Sequence, residues 1–238
     1  MIYTERYRTR WHDTDAERKV RPTQILIYMQ ETSNRHIASS GTTLEELRDR
    51  DGLAFILSKI KLAIRKPLYA YEDIEVDTWT SEGRGFSSLR FFRIRRGDDI
   101  IAEAETVWAL VGLNDGKLHR FDEIKWNWEN DEPVDVGLPS RFRVPKAEEL
   151  EVLGERKIVY SDLDYNMHMN NTRYADMLCD FLPIGEVHII NGMSLSYLHE
   201  AHFGDTVTVY GRREEGSYLI RTVNSEGKAC LEAQVIME

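Results

Sequence analysis

Thiols are scarce in this chain: Cys179 and Cys230 are the only two in 238 residues. A disulfide framework is thereby excluded, and a reducing cytoplasm is the expected location. No apolar run approaches the roughly 18–20 residues that cross a bilayer, so no membrane span is expected. The opening residues, Met1-Ile2-Tyr3-Thr4-Glu5, lack the apolar stretch and cleavage site of a signal peptide. Positive charge is in deficit, with 31 Lys and Arg against 41 Asp and Glu and a net charge of −10. Phosphate backbones are held by clustered cations, so nucleic acid is not an expected partner. Cofactor and nucleophile motifs are missing too. Gly83-Arg84-Gly85 lacks the third glycine and the helix of a dinucleotide loop and reads as a hairpin turn. There is no GxSxG elbow for a serine nucleophile. His199 and His202 stand without HExxH spacing or an evident third ligand, so they read as solvated and neither metal nor cofactor is expected.

What is present is an ordinary globular composition, 42% apolar and 30% charged, long enough to bury a core without a staple. It is also a repeat. Trp11-His12-Asp13-Thr14-Asp15 precedes one helical pattern, and Tyr160-Ser161-Asp162-Leu163-Asp164 precedes another. The two segments stand 149 residues apart and align without a gap through Thr23 and Thr172. Later echoes, Asp73 with Asp205 and Glu103-Ala104 with Glu232-Ala233, keep the same order. Their shrinking separation places about 17 extra residues after the first helix.

Each half reads as a helix followed by strands. Pro22 suits the first helical position, Ile25, Met29, Ser33, His36 and Ile37 share a face, and Gly41 is a stop. Tyr174, Leu178, Phe181 and Leu182 form the second stripe, ahead of Pro183 and in a helix expected from near Asn170. Strands are expected at 87–96, 99–112, 156–160, 216–224 and 228–237, with alternation also at Ile74, Val76 and Thr78 and at Val207 and Val209. Three of the six prolines and an acidic run lie in 119–150, which is linker chemistry. The expected organisation is therefore a first unit at 1–118, a linker at 119–150 and a second unit at 151–238. One apolar helix per unit against an antiparallel sheet is an α+β plan in which the sheet wraps the helix.

The densest polar cluster is Asp162 to Thr172. Asp164, Asn166 and His168 alternate, which places them on one side of an extended segment. The following helix would direct its N-terminal N–H groups to the same place and stabilise developing negative charge. Acid–base group, amide and oxyanion donors are the parts of an acyl-transfer site. Asp162, Asn170 and Asn171 serve equally well as helix caps. At the matching places the first half has Asp15, Glu17 and Lys19, which suggests one active and one supporting half. Glu200 is a carboxylate within reach of the 164–168 loop. Cys179 and Cys230 read as core residues without activating neighbours, and Trp79, Trp108, Trp126 and Trp128 as core or linker anchors or as lining for an apolar tunnel.

Residues 162–171, Asp-Leu-Asp-Tyr-Asn-Met-His-Met-Asn-Asn, resemble the signature of acyl-acyl carrier protein (acyl-ACP) thioesterases. Met29 to His36, Val76-Asp77-Thr78-Trp79, Thr106-Val107-Trp108 and Tyr197-Leu198-His199-Glu200 are similar to further segments of that family, in order along nearly the whole chain. The resemblance implies a double hotdog fold, two tandem units of the kind deduced above, with the acyl chain in the first and the reacting groups in the second. It implies a bacterial member that hydrolyses a medium- or long-chain acyl-ACP thioester, with roles for Asp164, Asn166, His168 and Glu200 and with ACP as partner. Plant members carry a cysteine after the glutamate; Ala201 stands here, so a water mechanism is expected. Asp164 or Glu200 would activate the water with His168 as proton carrier, Asn166 would fix the thioester or the imidazole, and N–H groups near Asn170–Arg173 would hold the oxyanion. Carboxylate attack to give an anhydride is the alternative. An acyl-CoA thioesterase, a hotdog dehydratase and a non-catalytic acyl sensor are the competing readings, of which the dehydratase fits the hydrolase-like site least, and a homodimer is compatible with the sequence.

Overall fold

The structure, a computed structural model, describes residues 2–41, 43–81, 85–121, 129–139 and 141–237. Gly83, Arg84, Trp126 and Trp128 lie outside them. In the first half β1 (Tyr3–Arg8) leads through a one-turn 3-10 segment into α1 (Pro22–Ser39), with proline at its start as expected. Ile25, Leu26, Met29, Ser33, His36 and Ile37 are all buried on its inward side. Ser40 closes the helix, and Gly41 takes the left-handed φ of 87° that lets the chain leave it. A second helix, α2 (Leu44–Asp51), follows where the repeat placed its extra residues. Thr43 and Glu46 form a reciprocal capping box at its start, and Gly52 ends it with φ 65°. Then come β2 (Leu53–Ile64), β3 (Asp73–Thr80), β4 (Ser87–Arg96), β5 (Asp99–Gly112) and β6 (Leu118–His119).

The second half runs β7 (Glu151–Lys157), α3 (Arg173–Asp180), α4 (Ile184–Val187), β8 (Ile190–Tyr197), β9 (Thr206–Glu214), β10 (Ser217–Asn224) and β11 (Ala229–Met237). The strands at 87–96 and 99–112 match their expected bounds, and those near 216 and 228 each begin one residue later. Two expectations are corrected. The strand placed at 156–160 ends at Lys157, because Tyr160–Asp162 turns in a 3-10 segment held by the Asp162 carboxylate, which accepts from Val159 N. The helix expected from Asn170 begins at Arg173. Asn170 Oδ1 captures both the Thr172 N–H (2.9 Å) and its hydroxyl (2.8 Å), spending those residues on a separate turn.

All the strands belong to one antiparallel sheet in the order β1-β3-β4-β5-β2-β8-β11-β10-β9-β7, with β6 on β5. The halves meet where β2 runs against β8, from Lys59 opposite Ser196 to Ala63 opposite Gly192. Each half curls its sheet around its own helix, the α+β double hotdog. A single core runs through both, joining Ile25 and Met29 of α1, Met177 and Leu178 of α3, and Leu62 and Met193 on the central strands. Fully burying a side chain of this size contributes roughly 1.5–3 kcal/mol, so neither half presents a finished core without the other. Leu47 of α2 packs on Leu110 and Phe121 in a satellite cluster that roofs β2 and β5 beside the end of α1.

Candidate active site

The polar loop before α3 has the same backbone as the loop before α1. Leu163 bridges to Met169 as Thr14 bridges to Val20, and His168 bridges to His202 as Lys19 bridges to Tyr69. Asp164 N donates to the His168 carbonyl at 2.9 Å, and Asp15 N to the Lys19 carbonyl at 2.8 Å. Met167 (φ 65°) and Arg18 (φ 68°) both take the left-handed conformation that side chains rarely adopt. In each loop one aspartate oxygen staples the turn: Asp164 Oδ1 accepts from Asn166 N (2.8 Å) and His168 N (3.3 Å), and Asp15 Oδ1 from Glu17 N (2.8 Å) and Lys19 N (3.0 Å). The segment is therefore a closed turn and not the extended one that alternation suggested. Asp164 and Asn166 face a cavity, while His168 faces the 200–202 segment.

There His168 Nδ1 lies 3.3 Å from Glu200 Oε1, and its ring meets that of His202 edge-on at 4.5 Å. Glu200 and His202 are exposed and His168 is half-buried, so water reaches all three. His168, Glu200 and His202 place their ligand atoms within 4.8 Å of one another, a cluster able to hold a cation that the separate motifs in sequence did not suggest. His199 is exposed, with Nδ1 at 2.8 Å from the Ala229 carbonyl oxygen.

Asn166 is oriented from the other half of the chain. Its Oδ1 accepts from Arg48 Nη1 at 2.7 Å, and Arg48 also lies 5.4 Å over the Tyr165 ring. With the carboxamide oxygen so engaged, the Nδ2 hydrogens are the groups left to donate. Arg48 escaped the sequence reading. Its signal was the Thr-x-x-Glu pattern at 43–46 followed by Gly52, which marks the short helix that carries it.

At the start of α3, three of the four expected N–H donors are occupied. Asn170 N donates to the Asp162 carbonyl, Thr172 N to Asn170 Oδ1 and Arg173 N to the Asn170 carbonyl. Among the described residues no group accepts from Asn171 N, and Asn171 lines the cavity. The half-buried Tyr197 donates its hydroxyl to the Asn171 carbonyl at 2.8 Å and so holds this turn in place.

The cavity, about 300 Å³, runs from Asp164, Asn166 and Asn170–Thr172 into the first half. Leu26, Met29 and Ile37 of α1, Leu47 of α2, and Leu57 and Trp108 on the sheet give it apolar walls. Neither His168 nor Glu200 is on its wall, so the polar groups flank the loop on two sides. Trp79 is buried away from the cavity, and its indole N–H donates to the Glu132 carbonyl. Cys179 and Cys230 belong to the interior, where burial pushes their thiols up to about 12 and about 11, far from thiolate chemistry at neutral pH.

Residues 1–125 match the acyl-ACP thioesterase N-terminal domain and residues 146–236 the acyl-ACP thioesterase C-terminal domain. Among curated relatives, a chloroplastic acyl-[acyl-carrier-protein] hydrolase of Cuphea viscosissima is 22% identical over 84% of this chain and 52% of its own length. The chain thus spans about half the length of the curated relatives it matches. An acyl-ACP thioesterase from Bacteroides thetaiotaomicron superposes with a TM-score of 0.90 at 22% identity, covering 100% of this chain and 98% of that one. The 12:0-ACP thioesterase of Umbellularia californica gives 0.83 at 15% identity over 100% and 97%. At such identities the two superpositions speak for the fold.

Proposed function

This chain belongs to the acyl-ACP thioesterase family, and from that premise we propose that it hydrolyses the thioester of medium- or long-chain acyl-ACP to free fatty acid. The observation that carries the reading is the loop at 162–171. It sets an oriented amide and an unengaged N–H at one end of an apolar cavity and, on its other flank, an imidazole paired with the Glu200 carboxylate.

In this reading the acyl chain lies in the first-half cavity, within residues 1–118, and the reacting groups come from 151–238. The thioester carbonyl sits against Asn166 Nδ2 and Asn171 N–H, which hold the oxygen as it becomes negative. His168 takes the proton of an attacking water, with Glu200 beside Nδ1 fixing the ring so that Nε2 serves as base. The tetrahedral intermediate expels the pantetheine thiolate, which receives that proton. Asp164 holds the loop through Oδ1 and acts by positioning. ACP is the partner that presents the substrate. The two free thiols suit a reducing cytoplasm, and among the described residues no helix is long and apolar enough to cross a membrane.

Release of free fatty acid from acyl-ACP substrates of graded chain length tests the reading; no release from any of them overturns it. Single turnover in oxygen-18 water tests the chemical route. Label is expected in the fatty acid alone, and label in Glu200 or Asp164 would show anhydride formation instead.

A further inference from the structure

Arg90 is the anomaly of the acyl cavity. It lies on β4, 5% exposed, and its side chain reaches the cavity wall. The neighbouring arginines of that strand all meet carboxylates: Arg93 with Glu103, Arg95 with Asp77 and Arg96 with Glu72. Arg90 meets none among the described residues. Its Nη1 contacts His36 Nδ1 at 2.9 Å and Thr78 Oγ1 at 3.2 Å, both uncharged partners. Burial and the Arg90 charge push His36 down to about 4, so its ring is neutral and accepts from the guanidinium at neutral pH. Burial lowers Arg90 itself only to about 10, so it stays charged. A guanidinium carries five N–H donors, and those on Nε and Nη2 have no protein partner among the described residues. An unpaired charge withdrawn from water is costly, and a fold for which an apolar cavity wall sufficed would have no use for one.

Its place in the sheet says what meets it. The 162–171 loop is bridged to the segment following β8, through His168 with His202 and Met169 N with the Ala201 carbonyl. β4 is three strands from β8 in the order β8-β2-β5-β4, roughly 14 Å at ~4.8 Å per strand. Ser33, Thr80, Ser88 and Thr106 line the cavity together with Arg90, so a polar group entering there is not opposed by an apolar wall.

We propose that the cavity takes acyl chains whose distal end carries an oxygen acceptor, a carboxylate above all and a hydroxyl next, bound by Nε and Nη2 of Arg90. The inference rests on the thioesterase reading for the identity of the chain, but it is tested on binding and not on turnover. The probes are acyl-pantetheine amides, non-hydrolysable and matched in length, ending in methyl, hydroxyl or carboxylate. Calorimetry on the full chain should rank carboxylate over hydroxyl over methyl, with roughly tenfold or more between first and last. In Arg90→Met the order should invert, since the carboxylate then enters a cavity with no cation. Equal binding of the three by the wild-type protein, or a preference for methyl, overturns the proposal whether or not the variant folds. Hydrolysis of the corresponding acyl-ACP thioesters is scored separately. Its absence would remove the thioesterase reading, while the ranking of the amides would still decide the role of Arg90.

Discussion

The two helix-entry loops share a backbone and differ in almost everything that chemistry needs. Where the second has His168, the first has Lys19; where the second has Asn166, the first has Glu17. The bridge that joins His168 to His202 joins Lys19 to Tyr69 in the first half, so Pro67 falls where Glu200 stands. Pro22, aligned with Asn171, has no N–H at all. Around Asp15 the side chains engage one another: His188 Nδ1 lies 3.3 Å from Asp15 and Lys19 lies 3.0 Å from Glu17. The cavity beside them, about 290 Å³, is lined by Arg65, Lys66 and His188 as well as apolar groups. On the proposed reading one turn serves two uses, helix entry in both halves and a site in one. The shared aspartate staples the turn, and the residues that differ are those the proposal assigns to the site.

The comparison can be broken most forcefully at His168. His168→Ala or Glu200→Ala should lower turnover by about 10²–10⁴-fold at unchanged melting temperature. Lys19→Ala should leave turnover within about twofold. Equal losses at His168 and Lys19 would refute the assignment of one active half. Asn171→Pro copies into the second half what the first already carries. Gln24 N donates to the Arg21 carbonyl around Pro22 as Arg173 N donates to the Asn170 carbonyl around Asn171, so folding should survive in a circular-dichroism melt while kcat falls about 10²–10³-fold for lack of the N–H. Retained kcat would clear Asn171 of any part in holding the oxyanion.

A smaller effect separates the long helix from the short one. His36 lies on α1 beyond the length that α3 attains, held near 4 by burial and by Arg90, against an ordinary value near 6.5. The unfolded chain therefore takes up a proton between about pH 6.5 and 4 that the folded chain refuses. Stability is full above about pH 6.5 and falls as the solution is acidified to about pH 4, by on the order of 3 kcal/mol. Urea melts across that window should show the loss, and His36→Gln should flatten it; identical slopes would rule His36 out. Last, Asp15→Ala and Asp164→Ala should each cost about 1 kcal/mol of stability, since both staple the same turn. Only Asp164→Ala should also depress turnover. A stability loss confined to one of them would mean the two turns are not equivalent.

Much of this was legible from residues alone. Pro22 and the apolar spacing after it marked α1, and turn residues at Gly97-Asp98 and Glu226-Gly227 separated long strands at nearly their true bounds. The Asp162–Thr172 cluster stood out because polar residues at such density seldom open an apolar helix without a task. What misled was periodicity. Alternation of Asp164, Asn166 and His168 implied an extended strand, but the aspartate side chain captured two backbone N–H groups and closed a turn. Helix α2 was hidden because its sequence is almost wholly charged, with Leu47 the single buried residue, so no apolar stripe announced it. Without it, neither Arg48 nor the roof of the cavity was visible.

The sequence by itself determined the duplication, the α+β plan, the loop that carries the polar residues and the lack of a reactive thiol, because each is written in local pattern or composition. Only the tertiary structure decided which groups meet. Glu200 reaches His168, Arg48 reaches Asn166 across 118 residues, and Arg90 reaches His36 between a strand and a helix. Such contacts depend on how a curved sheet folds back on its helices. Chain neighbours carry no record of that curvature, which is set by the packing of the shared core.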